Sequence, residues 1–286
     1  MSTGSSAPVY LFQQDWESRY SPAALRSWHN DHTSIPFIGT FFFVVMISVL
    51  PRVMRLSKPF ELRPLLILWN SGLALFSLAA SVRMWQFVSR DLASFSAADY
   101  KRSVCSIGDD PVSAFWMSAY SLSKIVQFGD TALLILRKRP TSLLHLWHHG
   151  CVLIFMWIQF ATGAPQLKYF MLMNVIIHAV MYGYYALQAA GIRIPTRIAM
   201  TITAVQILQM IAGLWTTAAP YYYASQGETS CFRNTWAAAS ALLVYGSCLY
   251  LFSEFFVDKY LRTPATKRPA IDVNQNRVSS GGKKRE

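Results

Sequence analysis

The sequence predicts an all-α integral membrane protein with seven transmembrane helices, and three observations carry that reading. Of the 286 residues, 53% are hydrophobic and only 14% are charged, too apolar a balance for a soluble domain of this length. Seven apolar stretches each approach the roughly 20 residues that a helix needs to cross a hydrocarbon core of about 30 Å. The basic residues, finally, divide unevenly between the two sets of connecting loops, as they do when one set faces the cytosol.

Residues 1–33 are polar and contain no short apolar core followed by a cleavage site, so they read as a lumenal N-terminal segment without a removable signal peptide. The first span then serves as an uncleaved anchor. The membrane domain, residues 34–258, holds the spans Ser34 to Met54, Pro64 to Val88, Ala114 to Leu136, Leu143 to Thr162, Leu167 to Ala190, Ile198 to Tyr221 and Trp236 to Phe256. Residues 259–286 are polar, basic and rich in Pro, Ser, Gly and Asn, a poor composition for a core, and are expected to be disordered.

Orientation follows from the Lys and Arg count. One side carries seventeen: Arg52, Arg55, Lys58, Arg63, Arg137, Lys138, Arg139, Arg193, Arg197 and eight in the tail that begins with Lys259. The other side carries seven, Arg19, Arg26, Arg90, Lys101, Arg102, Lys168 and Arg233, with Arg83 and Lys124 left inside spans. The N-terminus is therefore expected in the lumen and the C-terminus in the cytosol. The net charge of +12 reports this topology rather than nucleic-acid binding, because it is spread over loops that flank spans. The chain ends on "KKRE", with Lys283 and Lys284 at the positions of a dilysine retrieval signal of endoplasmic reticulum membrane proteins. Cys105 and Cys231 both fall in loops assigned to the lumen, an oxidising compartment, where a disulfide would tie the loop after the second span to the loop before the seventh. Cys151 and Cys248 lie within spans as apolar fillers.

The chemistry concentrates in "LLHLWHHG", which sets His145, His148 and His149 into an apolar run. Residues at i, i+3 and i+4 share one helix face, so three imidazoles stand side by side. A single histidine in a span reads as a satisfied packing residue; three on one face read as a site, since ionisable groups in a membrane are costly and face a cavity or the bundle interior. Other spans point the same way. "KIVQFGDT" carries Lys124, Gln127, Asp130 and Thr131; "NVIIHAVMYGYY" carries Asn174, His178, Tyr182, Tyr184 and Tyr185; "TAVQILQM" carries Thr203, Gln206 and Gln209. At 1.5 Å per residue, Asp130 and His148 lie about 9 and 8 Å from the cytosolic ends of their spans, Gln206 about 12 Å, and His178 and Lys124 about 18 Å. Four helices thus supply polar groups to one layer on the cytosolic half, more agreement than separate interhelical hydrogen bonds require.

These motifs resemble the ELO family of fatty acid elongases of the endoplasmic reticulum. "HLWHH" fits its H-x-x-H-H box, "NVIIHAVMYGYY" its N-x-x-x-H-x-x-M-Y-x-Y-Y motif and "TAVQILQ" its T-x-x-Q-x-x-Q; "KIVQFGDT" resembles K-x-x-E-x-x-D-T with Gln127 in place of Glu. The resemblance implies seven helices, six of them forming an inverted barrel around an acyl tunnel. It also implies an acyltransferase, a very-long-chain 3-oxoacyl-CoA synthase, that joins a long-chain acyl-CoA to malonyl-CoA with loss of carbon dioxide. No cofactor or metal is implied. His148 takes the acyl-imidazole role, His145 and His149 orient or activate it, and His178 faces them. Lys124, Gln127, Asp130, Thr131, Asn174, Tyr182, Tyr185, Gln206 and Gln209 become substrate-binding candidates, and Arg137, Lys138, Arg139 and Arg193 phosphate partners for CoA. A saturated or monounsaturated chain fits best. Family members acting on polyunsaturated chains commonly carry Gln five residues before the first box histidine, where this sequence has Pro140, and "HAVMYGYYALQAAG" looks closest to the saturated and monounsaturated branch.

Two alternatives belong to other classes. A di-iron desaturase or hydroxylase also uses histidine boxes, but only four of the six histidines lie in the cytosolic half, since His29 and His32 precede the first span; such sites use about eight ligands. A seven-helix receptor or transporter is compatible only with the helix count and the outward N-terminus. Expected partners are the two CoA substrates, membrane lipid and the other enzymes of an elongation cycle; a homodimer is compatible with the sequence and nucleic acid is not expected.

Overall fold

The computed structural model describes residues 10–94, 96–108, 110–231 and 234–262. The basic tail beyond them, with its Lys283–Lys284 ending, lies outside the described residues. Among those described, every regular element is helical. A short helix α1 (Pro22–Asp31) precedes α2 (Ser34–Met54) and α3 (Arg63–Asp91); α4 (Ala97–Cys105) is again short. Then come α5 (Pro111–Val126), α6 (Phe128–Leu136), α7 (Leu143–Ala161), α8 (Leu167–Ala189), α9 (Thr196–Ser225) and α10 (Thr235–Phe256), which runs on as a π-helical turn to Leu261. Six of these, α2, α3, α7, α8, α9 and α10, are long and apolar enough to cross a membrane. The chain is a multi-pass membrane protein.

Helix starts are set by local chemistry. Side chains of Ser21, Ser96, Asp110, Ser142 and Asn234 each accept from a backbone N–H of the first turn, and Pro22 and Pro111 occupy first positions where no N–H is needed. One expectation is modified. The apolar stretch from Ala114 to Leu136, read as one helix, is two helices joined at Gln127, whose ψ of −12° tightens the turn. No Gly or Pro stands at that position to announce the break.

Packing arranges the long helices in a closed circuit. Neighbours run α3, α8, α9, α10, α7, α5 and back to α3, while α2 lies outside against α6 and α7. The outward face of α2, with Phe41, Phe42, Val49 and Val53 exposed, suits lipid rather than water. Between the helices, on the side of α4, aromatic and Met side chains fill the interior: Tyr120, Phe155, Phe170, Met171 and Tyr245 pack as one core.

That end of the bundle is closed by the N-terminal segment. Glu17 is buried; its carboxylate accepts from Arg83 Nε at 2.7 Å and Trp116 Nε1 at 2.9 Å. Arg83 also donates to the carbonyls of Leu11 and Phe12, at 2.5 and 2.7 Å. Burial pushes the Glu17 carboxyl up, but the bonds from Arg83, from the Gln14 N–H and from Trp116 outweigh it and hold the group below the usual carboxylate range. Tyr10 donates to Asp110 at 2.5 Å, and Lys168 pairs with Asp91. Cys105, at the end of α4, is bonded to Cys231, which precedes α10, with Cα atoms 4.3 Å apart. This disulfide and the rim containing Arg137, Arg139 and Arg193 lie at opposite ends of the bundle.

The crosslink spans 126 residues of sequence, and closing a loop of that size stabilises by roughly 4 to 5 kcal/mol in the chain-entropy model. Non-reducing peptide mapping should recover the Cys105–Cys231 linkage, and Cys105→Ser should lower the thermal midpoint. Two free thiols in the mapped protein would contradict the pairing.

Candidate active site

The site is built where α7 begins. Ser142 accepts from the His145 N–H at 3.2 Å, which fixes the helix start so that His145, His148 and His149 fall within its first two turns. The rings form a cluster, with centroids 4.3 Å apart for His145 and His149 and 5.5 Å for His148 and His149. His178 of α8 lines the same cavity, and so do all three box histidines. Its volume is about 1220 Å³, and side chains of α3, α6, α7, α8, α9 and α10 contribute to its wall.

A carboxylate ties three of these helices together. Asp130 of α6 accepts from Trp69 Nε1 of α3 at 2.6 Å and from Tyr182 Oη of α8 at 2.7 Å. Next along α6, Thr131 Oγ1 meets His145 Nε2 at 2.8 Å, which joins α7 to the same level. His149 Nε2 is 4.0 Å from Asp130, too far for a hydrogen bond, and its Nδ1 is buried with no partner among the described residues. No side chain among the described residues hydrogen-bonds the His148 ring, which is half-buried and faces the cavity.

Deeper lies a second polar group. Lys124 of α5 is 0% exposed, and its Nζ approaches Asn174 Oδ1 at 3.3 Å, Gln127 Oε1 at 3.4 Å and the face of Tyr120 at 4.0 Å. Tyr120 Oη donates to the same Asn174 oxygen at 2.7 Å, and Asn174 Nδ2 lies 3.2 Å from His178 Nε2. At the opposite, open end the wall includes Arg63, Arg137, Arg139, Arg193 and Lys259. The arrangement is amphipathic along its length: cations at the mouth, imidazoles and a carboxylate further in, and apolar packing beyond.

A model of the family described as ELO: GNS1/SUR4 family matches residues 28–268. The chain belongs to this family. Among curated relatives it is similar to very long chain fatty acid elongase 3 of Mus musculus, 36% identical over 240 residues that cover 83% of this chain and 87% of that one. It is also similar to putative fatty acid elongase 4 of Caenorhabditis elegans, 36% identical over 85% of this chain and 81% of the relative. Very long chain fatty acid elongase 6 of Mus musculus is 33% identical over 88% and 94%.

Within this ELO chain the sequence candidates separate by location. Asp130, Asn174, Tyr182, Tyr185, Gln206, Gln209, Arg137, Arg139 and Arg193 line the cavity with the four histidines. Lys124, Gln127 and Thr131 are buried immediately behind its wall, and exposed Lys138, in a left-handed turn with φ 53°, is not among the lining residues. Sequence reasoning passed over Trp69, Asn70, Arg63 and Tyr120. Asn70 and Tyr120 are polar groups inside apolar runs and were open to the logic that found Asn174. Trp69 carried no such mark, because a tryptophan in a span reads as packing. Arg63 binds the end of α8 through the carbonyls of Ala189 and Ala190, at 2.9 and 2.6 Å.

Trp69 reaches Asp130 because Gly129 leaves room: a Cβ there would come within 2.4 Å of the indole. Gly183, in α8, would meet nothing within 4 Å. Both are helical, so alanine should stabilise each by up to about 1 kcal/mol where space allows. Gly183→Ala should raise or leave the thermal midpoint of the detergent-solubilised protein, and Gly129→Ala should lower it by several degrees. Equal responses at the two positions would contradict the close packing of Trp69 over Gly129.

Proposed function

We propose that the chain is the condensing enzyme of very long chain fatty acid elongation, a 3-oxoacyl-CoA synthase of the endoplasmic reticulum membrane. The observation that carries this reading is that one cavity presents four histidines from two helices and opens on a rim of arginines. CoA has phosphates that must stay near water while its acyl chain enters an apolar interior, and guanidinium groups bind phosphate well. The thioester then lies among the imidazoles.

In the first half-reaction the His148 imidazole attacks the acyl-CoA thioester carbon, the C–S bond breaks, and the CoA thiolate leaves and takes the proton that the His148 ring gives up, so that a neutral acyl-imidazole remains. His145 and His149 orient the attacking ring, with Thr131 holding His145. In the second, malonyl-CoA loses its carboxylate as carbon dioxide; the electron pair of that C–C bond passes into an enolate, whose α-carbon attacks the acyl-imidazole. The C–N bond breaks, the departing imidazolate takes a proton from solvent at the mouth of the cavity, and the products are 3-ketoacyl-CoA and free His148. A histidine nucleophile suits the inventory because Cys151, the cysteine beside the box, offers its thiol only to the His148 carbonyl, 3.6 Å away. Excluding bulk water protects the acyl-imidazole from hydrolysis.

The membrane arrangement in this reading has seven spans, α5 and α6 together crossing as one interrupted helix, and a six-helix inverted barrel around the acyl tunnel with α2 outside. The N-terminus is lumenal and the C-terminus cytosolic. Basic residues at one end and a disulfide at the other support that orientation independently, and the dilysine-like ending supports retention in the endoplasmic reticulum. The preferred acyl chain is saturated or monounsaturated.

Purified protein should lengthen acyl-CoA only when malonyl-CoA is supplied, and His148→Ala should abolish lengthening without changing the thermal midpoint by more than a few degrees. Intact-mass analysis after acyl-CoA alone should show an adduct on wild type and none on His148→Ala; an adduct on both would exclude His148 as nucleophile.

Position within the cavity divides the remaining effects. Arg139→Ala removes an exposed charge that binds ground and transition states alike, so KM for the CoA substrates should rise several-fold with kcat nearly unchanged. Lys124→Ala should lower kcat or stability instead. If both variants raised KM alone, the separation of rim from chamber would be wrong.

A further inference from the structure

Two donors from α5 fix how the amide of Asn174 is oriented. Lys124 Nζ, 3.3 Å away, donates to the Asn174 carbonyl oxygen. Tyr120 Oη, 2.7 Å from that oxygen, donates to it as well. The Asn174 amino group is thereby turned toward His178 Nε2, at 3.2 Å. An amino nitrogen can only donate, so His178 Nε2 must accept, and a neutral imidazole that accepts at Nε2 carries its proton on Nδ1.

Gln127 matters to this arrangement. Its Oε1 lies 3.4 Å from Lys124 Nζ, a neutral partner, and among the described residues no carboxylate comes within ion-pair distance of Lys124. Lys124 Nζ and Tyr120 Oη thus both occupy the Asn174 carbonyl, which leaves the amino end of the same amide as the group that faces His178. Among the described residues nothing hydrogen-bonds His178 Nδ1, and the residue lines the cavity.

We propose that Lys124, Tyr120 and Asn174 form a relay that locks His178 in its Nδ1–H tautomer, so that His178 serves as a fixed hydrogen-bond donor to the substrate oxygen that gains negative charge, and not as a base. Lys124, Tyr120 and Asn174 are positioning residues that act through His178. In the condensing reaction the oxygen is the thioester oxygen of malonyl-CoA, which gains the electron pair released when the bond to carbon dioxide breaks; no proton is transferred in that step. A donor already aimed at developing charge needs no reorganisation as the enolate forms. The kinetic consequence rests on the condensing reading; the tautomer does not.

The test uses full-length protein labelled with ¹⁵N-histidine, in lipid nanodiscs without substrate. Protonated and bare ring nitrogens of a neutral imidazole give well-separated signals, and the coupling of each nitrogen to the ring C–H protons distinguishes Nδ1 from Nε2. The His178 signals are assigned by their loss in His178→Gln. Wild type should show a protonated Nδ1 and a bare Nε2. Asn174→Asp replaces the donor with a carboxylate that accepts from both Lys124 and His178, so the proton should move to Nε2. That variant should still form the adduct at His148 from acyl-CoA, but consume malonyl-CoA roughly 10²-fold more slowly or worse, as expected when one oxyanion donor is lost. A bare Nδ1 in wild type overturns the relay, and because it is read on wild type it does so even if Asn174→Asp does not fold. A folded Asn174→Asp with the wild-type tautomer overturns it too. A protein with the Nδ1–H tautomer that fails to lengthen acyl-CoA upholds the relay while removing the reaction assigned to the site.

Discussion

The site depends on one carboxylate held in an apolar surround. Asp130 joins α3, α6 and α8 through its bonds with Trp69 and Tyr182, and its neighbour Thr131 brings in α7 through His145. A carboxylate so placed is expensive unless its oxygens are satisfied, and it is satisfied only when those helices meet at one level. The same bonds that make the charge tolerable therefore set the register of the histidine box against the rest of the wall. Gly129 is part of this constraint, since any Cβ would push the indole from the position where it donates.

Desolvation also explains why the molecule is polarised along its length. At one end cations stay solvated and available to phosphate. In the middle, polar side chains pair with each other across helices, as Lys124, Asn174, Tyr120 and His178 do. At the other end Arg83 and Glu17 bury each other, with two backbone carbonyls satisfying the rest of the guanidinium, and the N-terminal segment becomes a lid over an aromatic core. Each of these buried groups has a neutralising or hydrogen-bonding surround.

Much of this was legible in the sequence, and the reasons for what was not are physical. The long helices followed from apolar length, and α2 begins and ends at the residues read for it. Three histidines at i, i+3 and i+4 could share only one face, so their grouping was forced. The break at Gln127 was hidden because it is made by a tightened turn rather than by Gly or Pro. Glu17 was read with a polar lumenal segment, since nothing local signals that it pairs with Arg83, 66 residues on. Trp69 was hidden for a similar reason: its hydrogen bond spans 61 residues, and a tryptophan in a span is ordinarily apolar filling. Periodicity reports which side of a helix is special; it does not report which distant side chain comes to meet it.

The most direct measurement is a structure of the protein bound to a long-chain acyl-CoA analogue in which a methylene replaces the thioester sulfur, so that it binds without losing CoA. The ketone carbon should lie between His148 and His178, with the CoA phosphates against Arg137, Arg139 and Arg193 and the acyl chain directed away from the rim. An analogue bound with its ketone outside the histidine cluster, or with its phosphates at the end that carries the Cys105–Cys231 disulfide, would contradict the assignment of this cavity as the condensing site.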